Sequence, residues 1–304
     1  MKKTAPSISR RSFLKGVGAW IAGHRLLSAG LVSGSGILAW SGYSTLELKE
    51  EIWDLYYPEL PPSLDGKIIV QLSDLHLERL ALSSEKIINM VNSAAPDLIV
   101  LTGDLISARS DLPRVPTYLQ GLNARYGKYM VMGNNDYSHF SRSLFKRYQE
   151  LLTGLGWVTL INDSEYLKDL DLWIIGVDDP ATAHDDVPKA YAKLLESSGS
   201  SSFRLALAHS TDCLDGILEF GAELFLTGHT HGGQIRLPGM RPFITNTFLG
   251  DMGIYEGYHV IEGIPLYISR GIGESSIPLR LNVPPEITVF RLHKGQGNPT
   301  HTTI

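Results

Sequence analysis

Five short apolar runs in this sequence each end in a small polar cluster built from Asp, Asn and His. KIIVQL is followed by Ser73-Asp74-Leu75-His76, and LIVLT by Gly103-Asp104. KYMVM leads into Gly133-Asn134-Asn135-Asp136, LALA into His209, and LFLT into Gly228-His229-Thr230-His231-Gly232-Gly233-Gln234. Carboxylate, amide and imidazole donors without thiolate suit Mn, Fe or Zn. Two such ions about 3.5–4 Å apart clamp the attacking and leaving oxygens of a phosphoryl transfer. The candidate ligands are therefore Asp74, His76, Asp104, Asn134, His209, His229 and His231, with Asp104, in its tight Gly-Asp turn, as the bridging carboxylate. Gly103, Gly133 and Gly228 let the backbone approach the ions. The Asp-x-His and His-x-His spacings put each pair on one side of an extended backbone.

Taken singly, these elements are ordinary. One histidine at a strand end is commonly a hydrogen-bonded structural residue, and a Gly-Asp pair is commonly a turn. Their ordered recurrence argues for a site. A non-catalytic scaffold is the alternative on the same fold, and decayed ligands would mark it; here they are intact. A di-zinc hydrolase of the metallo-β-lactamase type needs a His-x-His-x-Asp-His run, which the sequence lacks. A serine hydrolase needs a Gly-x-Ser-x-Gly elbow, and the nearest Ser-Gly cluster, Gly34-Ser35-Gly36, lies before any core segment.

The elements that must position these residues alternate. Residues 67–72, 97–101 and 128–132 read as buried strands, and 83–94, 115–122 and 141–155 as helices, the first with Ser84 as N-cap. Further strands are expected at 172–175, 203–208, 224–227, 259–261, 266–268 and 287–292, and helices at 188–196 and 212–220. Sheets with covering helices, two sheets packed face to face, satisfy this pattern. Ligand sites in such folds gather beyond the carboxyl ends of the strands, where the polar clusters lie.

The chain has 304 residues, a net charge of −5 and one cysteine, Cys213. That balance gives no basic surplus for a nucleic-acid backbone, so no nucleic-acid partner is expected. A single cysteine excludes an internal disulfide framework and a cysteine-rich zinc site. The N-terminus is basic and carries Ser9-Arg10-Arg11-Ser12-Phe13-Leu14-Lys15, which resembles a twin-arginine export signal. An uncharged, Gly- and Ser-rich stretch then runs from Leu26 to Leu46, long enough to cross a bilayer as a helix. The division expected is 1–45 as signal or membrane anchor and 46–304 as the catalytic domain, with regular structure beginning near Pro61-Pro62. Export by the twin-arginine machinery, to a periplasmic or membrane-anchored state, follows. Ile52-Trp53-Asp54-Leu55-Tyr56-Tyr57 suits either membrane association or the edge of the core.

Together, Asp-x-His, Gly-Asp, Gly-Asn-x-Asp, His and Gly-His-x-His resemble the calcineurin-like metallophosphoesterase superfamily over residues 67–292. Gly-His-Thr-His-Gly-Gly-Gln, Gly176-Val177-Asp178-Asp179 and Ser269-Arg270-Gly271-Ile272-Gly273 resemble its bacterial YkuE/YaeI-like phosphodiesterase branch. The resemblance implies an α/β fold, a four-layer α/β/β/α sandwich of two mixed sheets flanked by helices. It implies a dinuclear centre in which Asp74, His76, Asp104 and His231 hold one divalent ion and Asp104, Asn134, His209 and His229 the other. A bridging hydroxide then attacks phosphorus in line. Where the family has Gly-Asn-His-Asp, Asn135 replaces the histidine that contacts phosphate and protonates the leaving group. Asn donates a hydrogen bond but supplies no proton. Some members of the family that lack this histidine resemble diesterases with little monoesterase activity, so the resemblance implies a phosphodiesterase, its substrate in one reading lipid-linked. An enzyme cleaving lipid-linked nucleotide-sugar pyrophosphates is the alternative. His139 is a substitute acid, and Arg270 and Arg280 are candidate phosphate contacts or else salt-bridge partners.

Overall fold

The computed structural model describes residues 45–138, 140–197, 202–237, 239–242, 244–275 and 278–304. The paired arginines, the uncharged stretch up to residue 44 and His139 lie outside them. Among the described residues no helix is long and apolar enough to cross a membrane.

In chain order the first half contains β1 (Lys49–Tyr57), β2 (Ile68–Leu72), α1 (Ser84–Ser93), β3 (Leu98–Thr102), α2 (Val115–Leu119), β4 (Lys128–Val131), α3 (Asn134–Ser138) and α4 (Arg142–Gly154). The second half contains β5 (Trp157–Thr159), β6 (Asp163–Leu167), β7 (Leu172–Gly176), α5 (Val187–Glu196), β8 (Phe203–Leu207), α6 (Leu214–Phe220) and β9 (Leu224–Thr227). After these come α7 (Phe248–Asp251), β10 (Gly257–Ile261), β11 (Ile264–Ile268), β12 (Glu286–Lys294) and β13 (Thr300–Thr303).

The strands form a seven-stranded sheet, β13-β1-β12-β2-β3-β4-β5, and a six-stranded sheet, β10-β11-β9-β8-β7-β6. Both are mixed. β2 through β5 run parallel and β12 is antiparallel to β2. β7, β8, β9 and β11 run parallel, with β6 and β10 antiparallel at the edges.

Strand alternation builds the layers. In β3, Leu98 and Val100 face the core between the sheets, where they meet Ile174, Leu205 and Leu226. Ile99 and Leu101 face the other way, onto Ile87 and Val91 of α1 and Leu119 of α2. On the far side, Ile175, Ala206 and Phe225 pack under Tyr191 of α5 and Ile217 of α6. Continuous apolar runs are what strands buried on both faces require. The order is thus helices, sheet, sheet, helices. Gln71 ties the two sheets at the rim: its amide donates to Thr227 O and Thr102 Oγ1, both at 2.9 Å.

Three expectations need correcting. Regular structure begins before Pro61-Pro62: β1 pairs with both β12 and β13, so Ile52 to Tyr57 are interior to a sheet. The N-cap of α1 is Ser83, whose side chain accepts from Lys86 N, and Ser84 is the first helical residue. The segment expected as a helix at 115–122 shortens to α2, with a 3₁₀ stretch, Arg109–Arg114, before it.

Candidate metal centre

Each polar cluster lies just beyond the carboxyl end of its strand: Asp74 after β2, Asp104 after β3, Asn134 after β4, His209 after β8 and His229 after β9. Both sheets therefore feed one rim. Asp74, His76 and His231 bring one ligand atom each within 4.8 Å of one another, and so do Asp104, His209 and His229.

The two groups meet at Asp104. Its Oδ2 lies 3.5 Å from His76 Nε2 and 3.3 Å from His209 Nε2. Asp74 Oδ1 lies 3.3 Å from His231 Nε2. Within the groups, His76 Nε2 faces His231 Nε2 at 3.1 Å, and His229 Nδ1 faces His209 Nε2 at 3.0 Å. Buried nitrogens and carboxylate oxygens converge here at distances that a shared cation would organise.

Orphaned atoms test the fit. Asp74 Oδ1 and Asn134 Oδ1 are buried oxygens with no hydrogen-bond partner. Leaving such an acceptor unpaired costs about 1–3 kcal/mol, more for a charged group. Both belong to the expected ligand set. Oxygen and imidazole donors in this arrangement fit divalent ions.

The supporting hydrogen bonds fix ring orientation. His209 Nδ1 lies 2.8 Å from the carbonyl oxygen of Thr102. A carbonyl only accepts, so Nδ1 carries the proton and Nε2 is left to face Asp104. His76 Nδ1 rests on Ser107 Oγ at 2.8 Å. Ser73 Oγ donates to Asp74 Oδ2 at 2.5 Å, and the backbone of His229 donates to the same oxygen at 3.1 Å. Asp136 buttresses from behind, accepting the backbone N–H of Asp104 and of Gly133, each at 2.9 Å, and the Tyr148 hydroxyl at 3.1 Å. Such partners set ligand orientation and basicity.

Burial would raise Asp74 and Asp104, but His231 and His209 respectively outweigh it and hold each well below the carboxylate range. Burial, with His231 and His209, lowers His76 to about 4 against the pull of Asp104 and Asp74. Burial and His209 likewise lower His229. His209 moves the other way: burial opposes its charge, but Asp104 and Asp74 raise it well above the usual imidazole range. A proton held there would compete with a cation.

The backbone is strained where the ligands sit. Asp74 (φ 50°), His76 (45°), Asp104 (52°), His229 (69°) and His231 (51°) all adopt left-handed conformations. That region is uncommon for residues with a side chain, and clusters of it occur at functional sites. It also overturns the extended-backbone reasoning for His-x-His. With His229 and His231 left-handed about Thr230, their rings diverge, one into each group.

Among the remaining expected residues, Asn135 donates through Nδ2 to Asp104 Oδ2 at 2.6 Å and through its backbone to Oδ1 at 2.8 Å. Arg270 is drawn away from the site, ion-paired with Glu51 and, at 2.6 Å, with Glu286. Arg280 is wholly buried behind His231, donating to the carbonyls of Gly273, at 3.1 Å through Nε, and of Arg270, at 2.9 Å. Both arginines thus organise the loop between β11 and β12 instead of meeting a phosphate. Sequence reasoning gave no role to Asp136, Ser73, Thr102, Ser107 or Tyr148. For Asp136 a signal existed, its place in the Gly-Asn-x-Asp cluster.

Two sheets set face to face gather Asp, Asn and His at one rim, an arrangement suited to a metal-dependent phosphoesterase. Residues 68–233 match the calcineurin-like phosphoesterase family. The chain is 33% identical to the Bacillus subtilis metallophosphoesterase YkuE over 94% of its own length and 98% of that protein. It is 31% identical to the metallophosphoesterase YkoQ of the same species, over 74% and 83% respectively. It is 26% identical to the UDP-2,3-diacylglucosamine pyrophosphatase LpxG of Chlamydia muridarum, over 84% and 93%. The chain belongs to the calcineurin-like phosphoesterase family, whose members are phosphoric ester hydrolases that use divalent metals.

Proposed function

We propose that this protein is a phosphodiesterase with a dinuclear metal centre. The observation that carries the reading is the meeting of the two ligand groups on Asp104 Oδ2, with Asp74 Oδ1 and Asn134 Oδ1 left for cations to satisfy. Asp74, His76, Asp104 and His231 would hold one ion; Asp104, Asn134, His209 and His229 the other. When bound, the ions supply Lewis acidity and lower the pKa of the attacking water. The chain's own residues do the rest. Asn135 donates to the Asp104 carboxylate through its backbone and its amide, and Asp136 accepts the backbone N–H of Asp104. The Thr102 carbonyl holds His209 to its tautomer, and Ser107 helps to orient the His76 ring. Asn135 presents an amide donor to a phosphoryl oxygen.

Diester preference follows from Asn135. General acid catalysis is typically worth about 10²–10⁴-fold, and its loss is felt most by poor leaving groups. A second reading, hydrolysis of a lipid-linked nucleotide-sugar pyrophosphate, is favoured by the similarity to LpxG. It is compatible with Asn135, because a departing phosphate needs little help from an acid. The test is metal analysis of the purified protein, with mono- and diester assays before and after chelation. Diester turnover that chelation abolishes and Mn, Fe or Zn restores is expected. Turnover indifferent to chelation would overturn the reading.

A further inference from the structure

The loop that follows β7, residues 177–186, belongs to no part of the centre described so far, yet it builds a histidine against α3. Tyr137 of α3, the helix that carries Asn134 and Asn135, donates its hydroxyl to Asp178, 2.8 Å from Oδ1 and 2.7 Å from Oδ2. The exposed imidazole of His184 stacks on the Tyr137 ring, with centroids 4.1 Å apart and planes 11° from parallel. The rim of one sheet is thereby bolted to the rim of the other, next to the group containing His209 and His229. Buried Asp179 lies near enough to those two histidines to act on their charge.

The ring's tautomer is fixed by a short relay. Thr182 Oγ1 donates its single proton to Asp179 Oδ2 at 2.7 Å, since a carboxylate only accepts. His184 Nδ1 lies 2.7 Å from the same Oγ1, so it must be the donor there. The proton that His184 can exchange is therefore the one on Nε2. The loop backbone is pinned as well: His184 N donates to Asp179 O at 3.1 Å, and Asn162 Nδ2 donates to His184 O at 2.6 Å. A histidine with a stacked face, a defined tautomer and solvent access is built to carry a proton.

We propose that His184 is the proton donor to the leaving group, doing the work that Asn135 cannot. The inference rests on the phosphodiesterase reading. In the step, water oxygen bonds to phosphorus and the bond from phosphorus to the leaving oxygen breaks. His184 Nε2 gives its proton to that departing oxygen while Nδ1 keeps its own. The attacking water loses a proton to solvent, from which Nε2 is recharged. Tyr137 and Thr182 are positioning residues.

The experiment uses the full chain loaded with Mn and a series of aryl and alkyl diesters whose leaving groups run from p-nitrophenol to a simple alcohol. For His184→Gln, kcat is expected to fall less than about threefold with p-nitrophenol and about 100-fold or more with the alcohol, steepening the leaving-group dependence. Asn135→His in the His184→Gln background is expected to restore the alcohol rate. Thr182→Val, which leaves the ring in place, is expected to give the same pattern at smaller size, and it serves should His184→Gln fail to fold. An equal loss across the series, or none, would overturn the assignment. A wild-type protein that binds Mn but turns over no diester would instead sink the reading beneath it, and the assignment with it.

Discussion

His76 and His209 both approach one oxygen, their Nε2 atoms 3.5 Å and 3.3 Å from Asp104 Oδ2. The expected ligands come from turns distant in sequence, and this oxygen lies within reach of both groups.

Asp104→Asn keeps the shape but removes the shared charge and turns one acceptor toward Asn135 into a donor. Diester turnover is expected to fall about 100-fold and bound metal to drop well below the wild-type content. Metal analysis alongside kinetics checks it; full metal occupancy in the variant would place the bridge elsewhere.

Asn135→His puts an imidazole at the start of α3. In the His184→Gln background, diesters with poor leaving groups are expected to gain about 10²-fold in kcat, while p-nitrophenyl diesters change little. A uniform change over all substrates would count against a missing acid at this position.

Glu51 is not among the expected ligands and reports on stability. Burial alone would raise its pKa, but the Thr303 hydroxyl, the Arg270 guanidinium and His301 outweigh burial and hold it below the usual glutamate value. The folded protein then binds fewer protons here than the unfolded chain, so the contribution is present above the unfolded pKa and is lost as pH falls through the folded one. Glu51→Gln is expected to cost about 3 kcal/mol at pH 7 by leaving Arg270 short of a partner. In urea titrations at a series of pH values the deficit should narrow below about pH 4.3. A deficit independent of pH would show that packing, not charge, is at stake.

Arg10→Lys combined with Arg11→Lys tests the export reading. The double variant is expected to stay in the cytoplasmic fraction of a host with a working twin-arginine system while the parent chain leaves it. Equal fractionation of the two would remove the address.

The residues that gather at the rim were legible because their clusters follow short buried strands, and a run such as LFLT breaking into Gly-His-Thr-His announces itself. The layers were legible for the same reason. The strands that escaped notice do not carry such runs: β13 is Thr-His-Thr-Thr, fully exposed, and β6 is Asp-Ser-Glu-Tyr-Leu. β1 mixes acids with aromatics because it lies between β12 and the exposed β13. The arginines misled for a different reason. An arginine in a loop reads equally as a phosphate clamp or a brace, and only the folded positions of Glu51, Glu286 and the Gly273 carbonyl decide for Arg270 and Arg280. Nor does spacing reveal backbone handedness, which is why the divergence of His229 and His231 had to be seen.

That handedness has a consequence for how the protein can be disabled. At Asp74, His76, Asp104, His229 and His231 the native conformation is one that glycine adopts without penalty. Exchanging any of them for glycine removes a ligand and at the same time relieves the chain. The broken enzyme need not be a fragile one: inactivation and sturdiness can travel together here, and a tolerant fold could shed its chemistry without shedding its shape.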